Sequence, residues 1–310
     1  MKNKIAGVGL TALCLTGWAV ADVKVNDNLS LKGFLDMSMA ATMPKTGAGT
    51  ATASFDQFEV DFLYKYGEHI SAEADIARGG LGGGAGGAVG LESGFITYTD
   101  KEMSISAGRF LSASGFEAAE PTGTYQYSYN EAIGAYGVYE NGVNVNYNGG
   151  MFNLYGAIVS SVWSGGDVDA DMKRFGGEAQ LALMPTKEVT VKVTELGEQM
   201  PGYIKDVVNA WGSYSMGPLL AAVEGDYLMN FTAKDDNGYG GMVMANYKLT
   251  PKVAATGRFS MLHTDKGGTL DEVTVSPTYS FADNWWVLAE ARYEIKGKST
   301  ALGLETTLTF

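Results

Sequence analysis

Chemistry needs particular residue types at workable spacing, and this 310-residue chain offers few. Its two histidines, His69 and His263, lie far apart, and neither sits in a nucleophile motif. Ser–His or Asp–His hydrolysis needs its partners within hydrogen-bond reach. The stretch GGLGGGAGGAVG has the glycines of a phosphate cradle. It opens no helix and lacks the P-loop lysine, so it reads as a surface loop. DVDAD sets Asp167, Asp169 and Asp171 at the spacing of part of a calcium loop. Strand-like alternation follows it where such a loop leads into a helix, so a solvated acidic loop is the better reading. NFT at Asn230 is a weak glycosylation match. Cys14 is the single cysteine. No catalytic, cofactor or metal centre is expected.

The elements that must position the other polar residues are almost all strands. Runs of about ten residues alternate in polarity between turn residues, at the period of two that marks a strand with unlike faces. Sixteen segments qualify: 29–40, 55–66, 68–78, 91–99, 102–110, 138–147, 151–161, 174–184, 187–196, 206–216, 218–229, 238–249, 252–263, 271–281, 284–295 and 300–310. In EVTVKVTE, Val189, Val191 and Val193 oppose Thr190, Lys192 and Thr194. In FEVDFLYKY, Phe58, Val60, Phe62, Tyr64 and Tyr66 oppose Glu59, Asp61, Leu63 and Lys65. Segments 91–99 and 102–110 fit either face outward.

The connections alternate short and long. YGEH, TDKE, NGG, PTKE, GP, TPK and ADN are tight. Segments 42–54, 79–90, 112–137, 162–173, 197–205 and 230–237 are long, and 264–270 and 296–299 are shorter. Strand parity then places every tight turn and both termini at one end. An even strand count with tight turns at one end and long loops at the other is the pattern of a transmembrane barrel. The faces agree. By parity one face carries Lys32, Asp36, Glu59, Asp61, Glu73, Asp75, Glu178, Glu224, Asp226, Glu272, Glu290 and Glu305 among others. So many ions are too costly for a dry core. The opposite face is Val, Leu, Ala, Gly and Met, with Tyr66, Tyr98, Tyr147, Phe152, Tyr247, Tyr279, Phe281, Trp285 and Phe310 clustered toward the tight turns. Aromatic rings favour the headgroup level of a bilayer. The expected fold is all-β: one antiparallel up-and-down transmembrane barrel of about sixteen strands.

The first 21 residues read as a secretory signal peptide. Lys2 and Lys4 precede an apolar run, and Ala19-Val20-Ala21 is a small-x-small cleavage site before Asp22. The barrel domain is therefore 22–310, and Cys14 leaves with the signal. The formal net charge is −13, with no basic stripe to track phosphates, so nucleic acid is not an expected partner.

The stretch GFITYTDKEMSISAGRFLSASGFEAAEPTGTYQYSYN resembles the strand–turn–strand–loop segment of the OmpL-like β-barrel porins of Gram-negative bacteria. The resemblance implies an outer-membrane location and passive diffusion of small hydrophilic solutes and ions, often through homotrimers. It also implies that the third long loop, 112–137, folds into the barrel and narrows it. That loop carries Glu117, Glu120 and Glu131. In such channels the loop acids face basic wall residues, for which Arg174, Lys192, Arg258 and Arg292 are the candidates here. The acid excess on the wall and loop leads to an expected modest cation preference. A C-terminal Phe in register with the apolar face, Phe310, resembles the signal read by the barrel-insertion machinery. Outer-membrane lipids and lipopolysaccharide are the surrounding partners. The competing expectation is a non-conducting structural or adhesive barrel whose surface loops bind a partner.

Overall fold

The computed structural model describes residues 22–80, 88–164 and 175–310. The signal segment, most of the glycine-rich loop, the DVDAD acids and Arg174 lie outside the described residues. A two-residue strand, β1 (Val23–Lys24), pairs with the next strand near the tight-turn end. Sixteen longer strands then run in chain order as one closed antiparallel barrel. They are β2 (Leu29–Met43), β3 (Thr50–Tyr66), β4 (Ile70–Gly79), β5 (Val89–Asp100), β6 (Met103–Leu111), β7 (Tyr139–Asn148), β8 (Phe152–Val159) and β9 (Gly176–Thr186). The second half is β10 (Val189–Met200), β11 (Tyr203–Met216), β12 (Leu219–Met229), β13 (Gly238–Thr250), β14 (Val253–Thr264), β15 (Gly268–Ala282), β16 (Trp285–Glu294) and β17 (Ser299–Thr309). Each of the sixteen expected segments holds one of these strands.

Closure is made by β17 against β2, from Thr300 opposite Met43 to Thr309 opposite Phe34. Phe310 extends the seam by exchanging backbone hydrogen bonds of 2.9 Å in both directions with Gly33. Its ring lies on the outward side over Gly33, where an added Cβ would come within 2.7 Å of the ring. A closed sheet leaves no unpaired edge, which hydrocarbon cannot solvate.

The outward face is as the alternation requires. Val191, Val193, Leu302, Leu304 and Leu308 are exposed, while Thr190, Thr194 and Thr307 point inward and are buried. Tyr279 packs on Phe281 at 5.1 Å and Phe281 stacks on Trp285 at 4.5 Å, part of the aromatic belt at the tight-turn end. The ambiguity of 91–99 is resolved by a bulge: the β4–β5 register slips at Asp75/Ile76, leaving Glu92 as the extra residue. Leu91 and Ile96 can then both face outward.

Two expectations need correction. The long connection 197–205 is not a loop. Strands β10 and β11 continue their ladder to Met200 opposite Tyr203, leaving only Pro201 and Gly202 as the turn. Ladder bonds persist beyond the apolar belt because nothing breaks the pairing there. The second correction concerns the inward face, which does carry a packed apolar cluster. Phe110, Tyr155, Ala157, Val159, Leu196, Val207 and Leu228 meet there with Ala135 and Tyr136 from the connection after β6. The strands supply isolated inward apolar residues, and the loop brings the rest to cover them.

Candidate functional site: the lumen and its inward loop

Segment 112–137 runs inside the barrel, and its contacts map its course. Ala113 N–H donates to Glu178 on β9 at 3.1 Å, and Gly115 N–H to Asn209 on β11 at 3.1 Å. Phe116 N–H donates to Glu224 on β12 at 2.6 Å. The segment then turns at Pro121–Gly123, a short 3₁₀ turn beside β17. On its return, the Tyr127 hydroxyl lies 3.1 Å from Ser38 on β2, and Ser128 N–H donates to Glu290 on β16 at 3.1 Å. The Tyr127 ring seats on Gly303 of β17, where an added Cβ would meet it at 2.6 Å. Tyr136 finally donates to Glu224.

Arg258 on β14 is the centre of this docking, and its side chain is wholly buried. One guanidinium nitrogen donates to Glu117 at 2.6 Å and to the Ser128 carbonyl at 2.7 Å. The other donates to the Tyr129 carbonyl at 3.0 Å and to Glu272 of β15. Glu117 also accepts from Asn130, through its backbone at 2.7 Å and its side chain at 2.9 Å, and from Gln126. Asn130 in turn donates to the Tyr136 hydroxyl at 2.9 Å. The chain Glu272–Arg258–Glu117–Asn130–Tyr136–Glu224 thus crosses the lumen from β15 to β12. A buried guanidinium is tolerable only with partners of this number and geometry. Burial, with the Glu224 charge beside it, holds the Tyr136 hydroxyl well above its ordinary pKa, so it remains a donor.

The other loop acids differ from Glu117. Glu120 approaches the Lys32–Asp61 pair, itself closed at 3.0 Å, and burial together with the Asp61 charge pushes its carboxyl up to about 7. Glu131 reaches toward Glu272 and Arg292, and burial together with the Glu272 charge pushes it up to about 7. Of the basic wall candidates, Arg258 pairs directly with the loop. Arg292 pairs with Glu272 at 3.5 Å and keeps part of its side chain exposed. Lys192 instead lies 5.1 Å over the Trp211 ring.

Three buried inward acids, Glu92, Glu140 and Glu198, were missed by the sequence reading. Glu140 and Glu198 follow from continuing the alternation back from Asn144 and on from Leu196, so their signal was present. Glu92 was hidden by the bulge. His69 and His263 occupy opposite ends: His69 Nδ1 is 2.8 Å from the Thr99 carbonyl near the tight turns, and His263 Nδ1 is 2.9 Å from Thr269 near the loops.

Beside the inward segment an open cavity of about 630 Å³ remains, lined on the barrel side by β2, β3, β16 and β17.

The fold recurs in channels of known structure. The outer membrane channel DcaP of Acinetobacter baumannii matches with a TM-score of 0.68 at 15% identity, over 94% of this chain and 100% of that one. An anion-selective porin from Comamonas acidovorans matches with a TM-score of 0.69 at 10% identity, over 91% of this chain and 99% of that one. The trimer form of OmpT, an outer membrane protein of Vibrio cholerae, matches with a TM-score of 0.61 at 12% identity, over 92% and 100%. Comparison with curated proteins gives no match. The family model described as "Putative beta-barrel porin-2, OmpL-like" matches residues 51–308. That span takes in strands β4 to β16 whole, nearly all of β3 and β17, and the inward loop, so the chain belongs to the OmpL-like β-barrel porin family.

Proposed function

We propose that the chain is an outer-membrane porin that lets small hydrophilic solutes and ions diffuse passively, with a modest cation preference. The segment 112–137 narrows its lumen. The observation that carries this reading is the open cavity left beside the docked segment, lined by Asp36, Asp56, Glu131, Glu290 and Glu305 against Arg292. A water-filled path lined mainly by one sign of charge concentrates the opposite ion. Glu120 and Glu131 set the charge near the segment, while Glu117 is neutralised by Arg258 and serves to hold the segment in place. Arg292, and to a smaller degree Lys192, temper the acid field; Arg174 belongs to the same proposed wall. The fold itself does not choose the sign, since the Comamonas neighbour is anion-selective.

The decisive experiment is single-channel recording of the purified protein in a planar bilayer. Stepwise conductance with a reversal potential favouring cations in a salt gradient is expected. A silent bilayer would favour the second reading, a non-conducting structural or adhesive barrel. The apolar cluster that fills part of the lumen is the observation on that side.

The same reading assigns 1–21 to export, places lipopolysaccharide and lipid against the outward face, and makes Phe310 the assembly signal. Phe310→Ser should lower the outer-membrane yield more than it weakens a folded barrel. Equal yields would remove that role. Association as a homotrimer is part of the proposal, and sedimentation in mild detergent tests it.

A further inference from the structure

The inward face of β16 reads Trp286, Leu288, Glu290 and Arg292 from the tight-turn end toward the loop end. Trp286 and Leu288 line a second cavity of about 250 Å³. Glu290 and Arg292 line the larger one. Thr124, just past the Pro121–Gly123 turn, touches both. The two cavities are therefore successive chambers along one strand. The step from Leu288 to Glu290 is about 7 Å at the usual strand rise.

Their charges are opposed. The chamber nearer the loops holds five carboxylate side chains and one arginine. The chamber nearer the tight turns is lined by Lys248 and Lys252 and by no acid. Its remaining wall includes the Trp286 ring and Leu288. A simple cation is concentrated in the first chamber and repelled in the second, and a simple anion meets the reverse order. A solute with an ammonium at one end and a carboxylate at the other can satisfy both chambers at once. Lys252 lies beside Ser280 and Glu290 beside Ser276, four residues apart along the sheet, about 13 Å. An extended dipeptide of roughly 7 Å with a hydrogen bond of about 3 Å at each end matches that separation.

Resting on the porin reading above, we propose that these chambers form an axially bipolar lane that favours short zwitterions of amino-acid and dipeptide size and rectifies ionic current. Lys248 and Lys252 are its specificity-determining residues at the tight-turn end.

Current–voltage curves of singly oriented channels in dilute KCl, at equal and opposite voltages, test it. A current ratio clearly above 1 is expected from opposed charge zones of this kind. It should fall to about 1 in concentrated salt, where screening shortens to a few ångströms. The double variant Lys248→Gln/Lys252→Gln should also bring the ratio to about 1 while the channel stays open. In liposome swelling, diglycine should enter faster than an acid or an amine of equal size, and the double variant should lose that advantage. Symmetric currents in the wild type, an unchanged ratio in the double variant, or diglycine no faster than both controls would overturn the bipolar lane and leave the porin reading intact. Absence of any current would overturn the porin reading itself.

Discussion

Strands β6 to β12 and the strands from β14 round to β5 share an outward face of Val, Leu, Ile and aromatic residues and both carry buried acids inward, yet only the first side adds a packed apolar cluster. On the first side Phe110, Val159, Leu196, Val207 and Leu228 are buried against Ala135 and Tyr136, with Trp163 and Phe231 packed around them. On the second side Asp36, Glu59, Asp61, Asp75, Glu272, Glu290 and Glu305 face the lumen, and both described cavities reach into that side. One barrel therefore holds a half in which an apolar cluster packs among buried acids such as Glu140, Glu178 and Glu224, here the dry half, and a polar half that borders the cavities, the wet half. A lumen wide enough for water does not have to be wet throughout, because one inserted loop can remove apolar wall residues from water. Each such side chain contributes roughly 1.5–3 kcal/mol when fully buried. The inserted loop belongs to both halves. Its aromatic end seals the dry one, and its Glu117 is clamped by Arg258 at the border of the wet one.

The contrast can be broken most forcefully by placing a charge in each half. Leu228→Lys puts an unpaired ammonium into the dry cluster and should cost on the order of 4–5 kcal/mol. Thr278→Lys, in the cavity near Trp286, should cost less than about 1 kcal/mol. Urea unfolding in lipid vesicles measures both, and equal losses would mean the halves do not differ. The clamp comes next. Arg258→Met leaves Glu117 buried without its cation and Glu272 with only the 3.5 Å contact to Arg292, a loss of about 3–5 kcal/mol for a broken buried pair. The inserted loop should become open to protease, with larger and noisier single-channel currents. A quiet channel of unchanged size would show that the other loop contacts suffice.

The outward face sharpens the comparison from the lipid side. Val191→Arg should destabilise the barrel by about 2–4 kcal/mol if it lies near the bilayer midplane, and Lys192→Arg, which keeps a charge that already points inward, by far less. Equal effects would invalidate the face assignment on the dry side. The smallest effect expected is with pH. Glu120 and Glu131 are both pushed up to about 7, so they are mostly neutral below that value and mostly charged above it. Cation preference should therefore rise from pH 6 to pH 8, read as a shift of the reversal potential in a salt gradient. Glu120→Gln/Glu131→Gln should flatten that rise without affecting docking through Glu117. A preference independent of pH in the wild type would remove these two carboxyls from the conducting path.

Much of this molecule is legible in the chain itself. Alternation at period two is a local property, so the sixteen strands, most of their faces and the outward place of Phe310 follow from reading neighbours, whereas its pairing with Gly33 at the closing seam does not. Sequence patterns weaken where the relation is not local. The bulge at Glu92 shifts one face because of its pairing with Asp75 and Ile76, and no residue type near it announces that shift. The tight turn at Pro201 and Gly202 depends on how far two strands keep pairing, not on their polarity. Arg258, Lys192 and Arg292 look alike as inward bases on alternating strands. Only the course of the loop decides that the first is a buried clamp, the second lies over an indole ring, and the third stands at the edge of a cavity. The division into dry and wet halves is likewise tertiary. It arises because Tyr136 and Ala135 reach residues on β10, β11 and β12, far along the chain, and burial is a property of what covers a side chain rather than of the side chain alone.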